Sequence, residues 1–564
     1  MKKAAATAAV ATTGGAGRTP LTRAARLKSA AVSESHAELG AEGSGLITRT
    51  PAPLSSSTST PASPSCPLHP QTAAAKPFHE IPGPKPLPII GNVWRYTKLS
   101  GEYDITKMHE NAHKMRAQFG PLVREKVIGN RVVVHAFNPH DMETVFRNEG
   151  RYPVRLSHRA LLKYRLDRED RYRTGGLFPS NGEAWSELRA KFQAPMMRSS
   201  HLEVCRNQLY DIVDDLLDVA REQGSLSGEK DLTNLLYRWA LESTGVVMFG
   251  KRLGCLGGTD AASERAQLLI DAISETHHIT MLTENGLANL WNYFDTPTYK
   301  KLIAAQDLKS AILHQFLAEN PTTAANTENA TLLQRLLSLP GDARDVYTMI
   351  MDTFLAGIDT TTYAMTYLLY QLSTNPSSQA RLSTEIRSLQ ARWGARPPMR
   401  VLEECAYLRA CTRESHRLWP VAFGTGRILD QDVTLSGYNV PAGTIVLVHN
   451  QVACRDPEQF PYPDNYIPER WLRSQASSTT GGDEQLEKCP AVGTKRHHPF
   501  AFLPFGYGRR MCLGRRIADG IMNAFVSNVI SKYSLEYKHN EPMGCYTKLI
   551  NVPDQPLKVL FKKI

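Results

Sequence analysis

Phe505 to Gly514 reads Phe-Gly-Tyr-Gly-Arg-Arg-Met-Cys-Leu-Gly, a glycine-rich turn that sets one thiol, Cys512, beside paired arginines. Glycines at 506, 508 and 514 permit close backbone approach and positive φ. N–H groups gathered in such a turn favour negative charge on the sulfur. Two readings stand. The residue is a buried free cysteine, as most lone cysteines are, or it is a thiolate presented to a metal.

The chain has 564 residues, enough for three or four average domains, although single enzyme domains of this size exist. At 42% hydrophobic and 21% charged it can bury a sizeable core. Nine cysteines at 66, 205, 255, 405, 411, 454, 489, 512 and 545 include no C-x-x-C pair, which argues against a disulfide framework or zinc ribbon and favours a reducing compartment. The net charge of +11 admits an anionic membrane surface, nucleic acid or an acidic protein partner. No aromatic and basic interleaving or reader motif supports nucleic acid.

Residues 1–33 carry Lys2, Lys3, Arg18, Arg23, Arg26 and Lys28, no acid, and many Ala, Thr and Ser. That composition predicts an organelle transit peptide over 1–35. Residues 36–76, rich in Pro, Ser, Thr and Ala, predict a linker without a core. From 77 to 564 the pattern is that of one folded domain, entered through Ile81-Pro-Gly-Pro-Lys-Pro-Leu-Pro-Ile-Ile-Gly-Asn92, whose prolines exclude helix. Leu122 to Phe137 alternates around Gly129-Asn130 and predicts a hairpin. Helical patterns follow over 183–197, 202–221, 232–249, 263–277, 297–317 and 345–372. In the last, Asp345, Asp352 and Asp359 share roughly one stripe and exclude an ordinary membrane span. Short strands are expected around 437–444, and a polar surface insertion over 473–498. The fold class expected is mainly α with small β-sheets.

Several pairs stand out within this frame. Trp185 and Arg189 are four apart and share a helical face; a core Trp beside a surface cation is the plain reading. Ala356-Gly-Ile-Asp-Thr-Thr361 puts poor helix formers inside a long helix, a local conflict expected at functional sites. Gly357 would leave room for a ligand, and the Thr360 hydroxyl can bond backward to a carbonyl and open the helix. Asp359 and Thr360 then form an acid and alcohol pair able to relay protons. Glu414 and Arg417, three apart, are by themselves an ordinary surface pair. His416 between them has no second ligand at matching spacing.

These motifs together resemble the cytochrome P450 superfamily of haem-thiolate monooxygenases. Phe505, Gly508, Arg510, Cys512 and Gly514 match its cysteine loop, and Ala356 to Thr361 its oxygen-side helix. Further matches are Glu-x-x-Arg at Glu414 and Arg417, and Pro-Glu-Arg at Arg470. The resemblance covers about 77–564 and implies the fold of that family, with haem b between the long helix and the cysteine-loop helix. It implies Cys512 as axial ligand, a linkage that favours O–O cleavage. It further implies Trp185, Arg189, Arg427 and Arg510 at the haem propionates, and Phe505 and Gly514 shaping the loop. Glu414, Arg417 and Arg470 would form a buried brace. By position, Phe354, Leu355, Val421, Ala422 and Phe423 are expected in the substrate pocket, with ordinary core as the alternative.

Arg409 and Arg413 precede Glu414, and Arg515-Arg516 follow the loop. In mitochondrial members such residues dock an acidic, adrenodoxin-like ferredoxin, itself reduced by an NADPH-dependent reductase. With the transit-like start this implies mitochondrial localisation at the matrix face of the inner membrane, held peripherally. Asp519-Gly520 depart from the Glu usual in that class and could loosen the start of the following helix. Arg151 to His158, Leu162 to Arg165 and Thr174 to Trp185 are most similar to arthropod ecdysteroid 22-hydroxylases, which implies a sterol substrate and O2. Other mitochondrial sterol or xenobiotic hydroxylases, a peroxide-rearranging relative, and a haem-binding sensor or carrier are the alternatives.

Overall fold

A 32-residue helix, Ala343–Thr374, is the longest element among the described residues and is buried along most of its length. Asp342 caps its N-terminus by accepting the Arg344 N–H, and its apolar character on all sides is that of a core helix. The three acids expected on one stripe all find partners. Asp345 meets Arg173 and Lys191 at 2.9 and 3.2 Å. Asp352 accepts from Arg165 at 2.7 Å and from the Leu177 N–H at 2.8 Å, and Asp359 faces His277. Buried carboxylates persist where such partners exist.

This computed structural model describes residues 75–97, 101–127, 131–257, 259–285, 290–325, 327–472 and 497–564, all within the compact unit Thr72–Ile564. The expected transit peptide, most of the linker, the Gly129-Asn130 turn and most of the 473–498 insertion lie outside the described residues. Lys76, at the end of the expected linker, already pairs with Tyr438.

Among the described residues there are twelve helices of eight or more residues: α1 Met108–Phe119, α2 Pro139–Arg147, α3 Arg159–Leu166, α4 Gly182–Met196, α5 Arg206–Glu222, α6 Thr233–Phe249, α7 Asp260–Asn285, α8 Pro297–Glu319, α9 Ala343–Thr374, α10 Pro376–Trp393, α11 Ala406–Leu418 and α12 Arg515–Ile530. The strands are β1 Leu122–Lys126, β2 Val132–Ala136, β3 Thr425–Ile428, β4 Val433–Leu435, β5 Tyr438–Val440, β6 Ile445–Val448, β7 Tyr533–Tyr537, β8 Cys545–Lys548, β9 Ile550–Pro553 and β10 Val559–Lys563. One sheet runs β1-β2-β6-β3, with β2 and β6 parallel; β4–β5, β7–β10 and β8–β9 are antiparallel pairs. The main core joins α4 to α9 and α12, and a second lies against the four-stranded sheet.

Two helices differ from the expected spans. The pattern over 202–221 breaks at Cys205, whose thiol bonds to the His201 carbonyl at 2.7 Å, leaving a short turn before α5. The pattern over 263–277 extends to Asn285, because Thr276 and Thr280 satisfy their hydroxyls on carbonyls one turn back and are fully buried there. Tertiary burial overrides the weak propensity of that Thr- and His-rich stretch.

Candidate functional site

The Cys512 loop closes on itself: the Cys512 N–H donates to the Phe505 carbonyl at 2.8 Å, and the Gly506 N–H to Leu503 at 3.0 Å. Gly506 and Gly508 take φ of 72° and 73°. A Cβ on Gly508 would lie 2.5 Å from the Glu149 carboxylate. Gly514 corrects the expectation of positive φ, since at −85° it is the ordinary entry residue of α12. Cys512 is accessible. Protein packed around its sulfur pushes the thiol up, while the Gly514 N–H and Arg189 pull it down. Phe505 meets the buried His416 ring edge-on at 5.6 Å and lies under the Arg515 guanidinium.

Four arginines converge beside the loop. Arg510 is buried, stacks 4.0 Å from the Trp185 ring and donates to the Pro153 and Ser180 carbonyls at 2.8 Å. Its Nη1 is buried without a partner. Burial, then Arg155 and Arg427, hold Arg510 down at about 8. Arg189, on α4 one turn after Trp185, donates to Gln193 and to the Met511 carbonyl, so it touches the residue before Cys512. Arg155 is lowered to about 10 by burial and then by Arg427. Arg427, expected at a propionate, already meets Glu149 at 2.6 Å. Four cations against one carboxylate leave three positive charges. That excess of positive charge, with Arg510 Nη1 a buried donor that has no acceptor, fits the propionates of a haem here. Arg155 and Glu149 are functional candidates that motif reading missed. Two arginines flanking Pro153, at 151 and 155, are the available signal, but pairing Glu149 with Arg427 needs the fold.

On α9 the half-buried residues Thr353, Ala356, Gly357 and Thr360 follow helical spacing in an otherwise buried run from Thr348 to Leu369. The Thr360 hydroxyl donates back to the Ala356 carbonyl at 2.5 Å, as anticipated, but the helix stays continuous rather than opening. Gly357 is half-buried, and a Cβ there would make ordinary contact with Thr244 of α6 at 3.4 Å. The Asp359 carboxylate is not brought to Thr360; it accepts from His277 Nδ1 at 2.8 Å and Ser274 Oγ at 3.1 Å on α7. Phe354 and Leu355 are core, the former stacked on Phe249, which corrects their placement in the pocket. Val421, Ala422 and Phe423 stay partly accessible, with the Val421 and Phe423 carbonyls held by the N–H groups of Asn551 and Gln451.

Glu414 and Arg417 are fully buried, not a surface pair. Glu414 accepts from Arg417 at 2.8 and 3.0 Å, Arg470 at 3.0 Å, Trp471 Nε1 at 2.9 Å and the Ile467 N–H at 3.0 Å. Arg417 also donates to the Cys454, Pro463 and Asn465 carbonyls. On the outside, Arg409, Arg413, Arg515 and Arg516 are all exposed. Partial burial, then Arg515 and Arg409, lower Arg413, which stacks 4.3 Å over Trp471. Asp519 faces Arg515 at 3.6 Å and Gly520 admits Leu202, so α12 starts unbroken despite the departure noted above.

His140, Glu143 and His498 also cluster. His498 Nδ1 accepts the Phe500 N–H, which leaves the proton of a neutral ring on Nε2 facing Glu143. The cluster is therefore a hydrogen-bonded one.

A thiol in a glycine-bent loop, a cradle of arginines and a long helix with a half-buried threonine are the parts of a haem-thiolate protein. The chain matches the cytochrome P450 family over residues 81–561 and belongs to that family, whose members bind haem through a cysteine thiolate and act as monooxygenases. It is 32% identical to Cytochrome P450 302a1, mitochondrial, of Drosophila melanogaster, over 87% of this chain and 96% of the relative. It is 31% identical to Probable cytochrome P450 12a5, mitochondrial, of the same fly, over 88% and 92%, and 28% identical to Probable cytochrome P450 CYP44 of Caenorhabditis elegans, over 88% and 97%.

Proposed function

We propose that this monooxygenase hydroxylates a sterol in mitochondria, with the ecdysteroid side chain at position 22 as the specific target and a ferredoxin as electron donor. The observation that carries the haem site is the arginine cradle with Arg510 Nη1 unpartnered beside Cys512. The sterol reading rests on the 151–185 resemblance and on mitochondrial relatives. No helix of the described residues is long and apolar enough to cross a membrane, and the exposed Ile89, Tyr293 and Phe294 support peripheral contact.

When bound, haem supplies O2 binding and reductive O–O cleavage. Cys512 would hold the iron as thiolate, with the Gly514 N–H and Arg189 favouring its charge. Arg510, Arg189 and Arg155 would offset the charge of the propionates. Val421, Ala422 and Phe423 flank the substrate. Thr360 presents its hydroxyl on the half-buried stripe of α9, and Asp359 takes up protons from the other side of the same turn. Arg409, Arg413, Arg515 and Arg516 form the ferredoxin face.

The test of ligation is the carbon monoxide difference spectrum of the reduced protein: a strongly red-shifted Soret band is expected, lost in Cys512→Ser. With ferredoxin and its reductase, a panel of ecdysteroid precursors, cholesterol and vitamin D-like sterols should yield a 22-hydroxylated ecdysteroid; oxidation of none would sink the sterol reading. A second reading, another sterol or xenobiotic hydroxylase, is favoured by the near-equal identity to the 302a1 and 12a5 relatives.

A further inference from the structure

A cavity of about 420 Å³ lies between α6, α7, α9 and the β8–β9 hairpin. Its wall includes Asp359, only 2% exposed, whose two carboxylate oxygens accept from His277 Nδ1 and Ser274 Oγ. Because an ionised carboxylate only accepts, Nδ1 carries the proton. On the adjoining wall the hydroxyls of Tyr237 and Tyr363 meet at 2.5 Å. Thr360 is the next residue, turned about 100° around the helix, with its hydroxyl on the Ala356 carbonyl. The acid and the alcohol, adjacent in sequence, therefore open on different spaces.

We infer that His277 is a positioning residue for proton supply, holding the Asp359 carboxylate in the cavity wall where water reaches it. The inference rests on the proposed roles of Asp359 and Thr360. A buried acid needs some partner, but a purely structural partner would not need a water-sized space beside it, nor the hydroxyl pair that lengthens the polar surface. For each proton that Asp359 passes toward the Thr360 side, one proton enters the cavity from solvent as hydronium: one O–H bond breaks in that hydronium, leaving water, and one forms on the carboxylate. Reduced ferredoxin supplies the electrons and O2 is the oxidant. The other titratable groups facing this space are Asp231 ahead of α6, Tyr546 and Lys548 on β8 and Asp554 after β9, while the buried His158 at the start of α3 lies in the field of His277.

Two variants separate positioning from packing. His277→Leu removes the donor, and His277→Asn places an amide N–H where Nδ1 stood. With reduced ferredoxin and O2, no sterol added, His277→Leu should slow oxygen reduction by about ten-fold and raise the share recovered as hydrogen peroxide, with the carbon monoxide spectrum unchanged. In the resting protein its infrared spectrum should gain a protonated-carboxyl band that a further Asp359→Asn change removes. His277→Asn should restore both readouts. Peroxide share and infrared spectrum unchanged in His277→Leu, or His277→Asn impaired equally, would overturn the inference. If the unmodified protein reduces no oxygen, the monooxygenase roles assigned to Asp359 and Thr360 fail, and the infrared comparison still decides whether His277 positions the acid.

Discussion

The Arg510 guanidinium stacks 4.0 Å from the Trp185 ring with its Nη1 buried and unpartnered. Carbonyls satisfy the rest of the fork, yet burial and two neighbouring arginines hold the group down at about 8. A guanidinium so placed lacks an anion. Arg510→Leu removes a charge-assisted bond worth roughly 1.5–3 kcal/mol, so haem should dissociate about ten- to hundred-fold more readily. Transfer of haem to an acceptor apoprotein, followed optically, measures this; unchanged transfer would place the propionates elsewhere.

The loop glycines differ in what they tolerate. Gly508→Ala would strain a residue at φ 73° and press a Cβ 2.5 Å from the Glu149 carboxylate, at a cost of about 1–3 kcal/mol. Gly514→Ala sits at φ −85° with open space around its Cβ. Denaturant unfolding of the two haem-free variants should separate them, with Gly508→Ala the weaker. If Gly514→Ala folds normally but retains less haem, the group lies against that face.

Glu414 is the acceptor for two arginines, an indole and a backbone N–H. Glu414→Ala leaves Arg417 buried without its carboxylate, costing about 3–5 kcal/mol. The expected result is little folded, haem-bearing protein, read as soluble yield and denaturation midpoint. Glu414→Gln keeps an acceptor and should fall between.

How much of this was legible in sequence follows the range of each interaction. Thr360 bonding back to Ala356 is local, and a poor helix former inside a helix announces it. The brace was readable only because Glu414, Arg417 and Arg470 each sit in a recognisable short motif. Arg427 illustrates the limit: a cation on a strand says nothing of the Glu149 that meets it, 278 residues away. Phe354 and Leu355 were misplaced because nearness to Ala356 in sequence is not a shared face; at 100° per residue, Phe354 turns toward α6 and stacks on Phe249. Asp359 and Thr360 part company for the same reason.

Arg515 and Arg516 are exposed beside the loop. Arg515→Glu with Arg516→Glu should raise the ferredoxin KM by about ten-fold or more at low salt while leaving the carbon monoxide spectrum intact, and the gap to the unmodified protein should narrow as salt rises. A salt-independent loss would mean that the helix, not the docking, was damaged.

His416 is 7% exposed beside Phe505, and burial with Arg515 holds it down at about 4. Its ordinary value is about 6.5, so between these two the unfolded chain binds a proton that the folded chain refuses. The stability that depends on a neutral ring is therefore fully present above about 6.5, falls as pH drops toward 4, and amounts to a few kcal/mol at most. His201 and His497, also at about 4, act in the same direction. Unfolding midpoints taken from pH 7 to pH 4 should fall steadily, and His416→Leu should flatten the slope. An equal slope in that variant would show that the ring beside the cysteine loop titrates as it does in the unfolded chain.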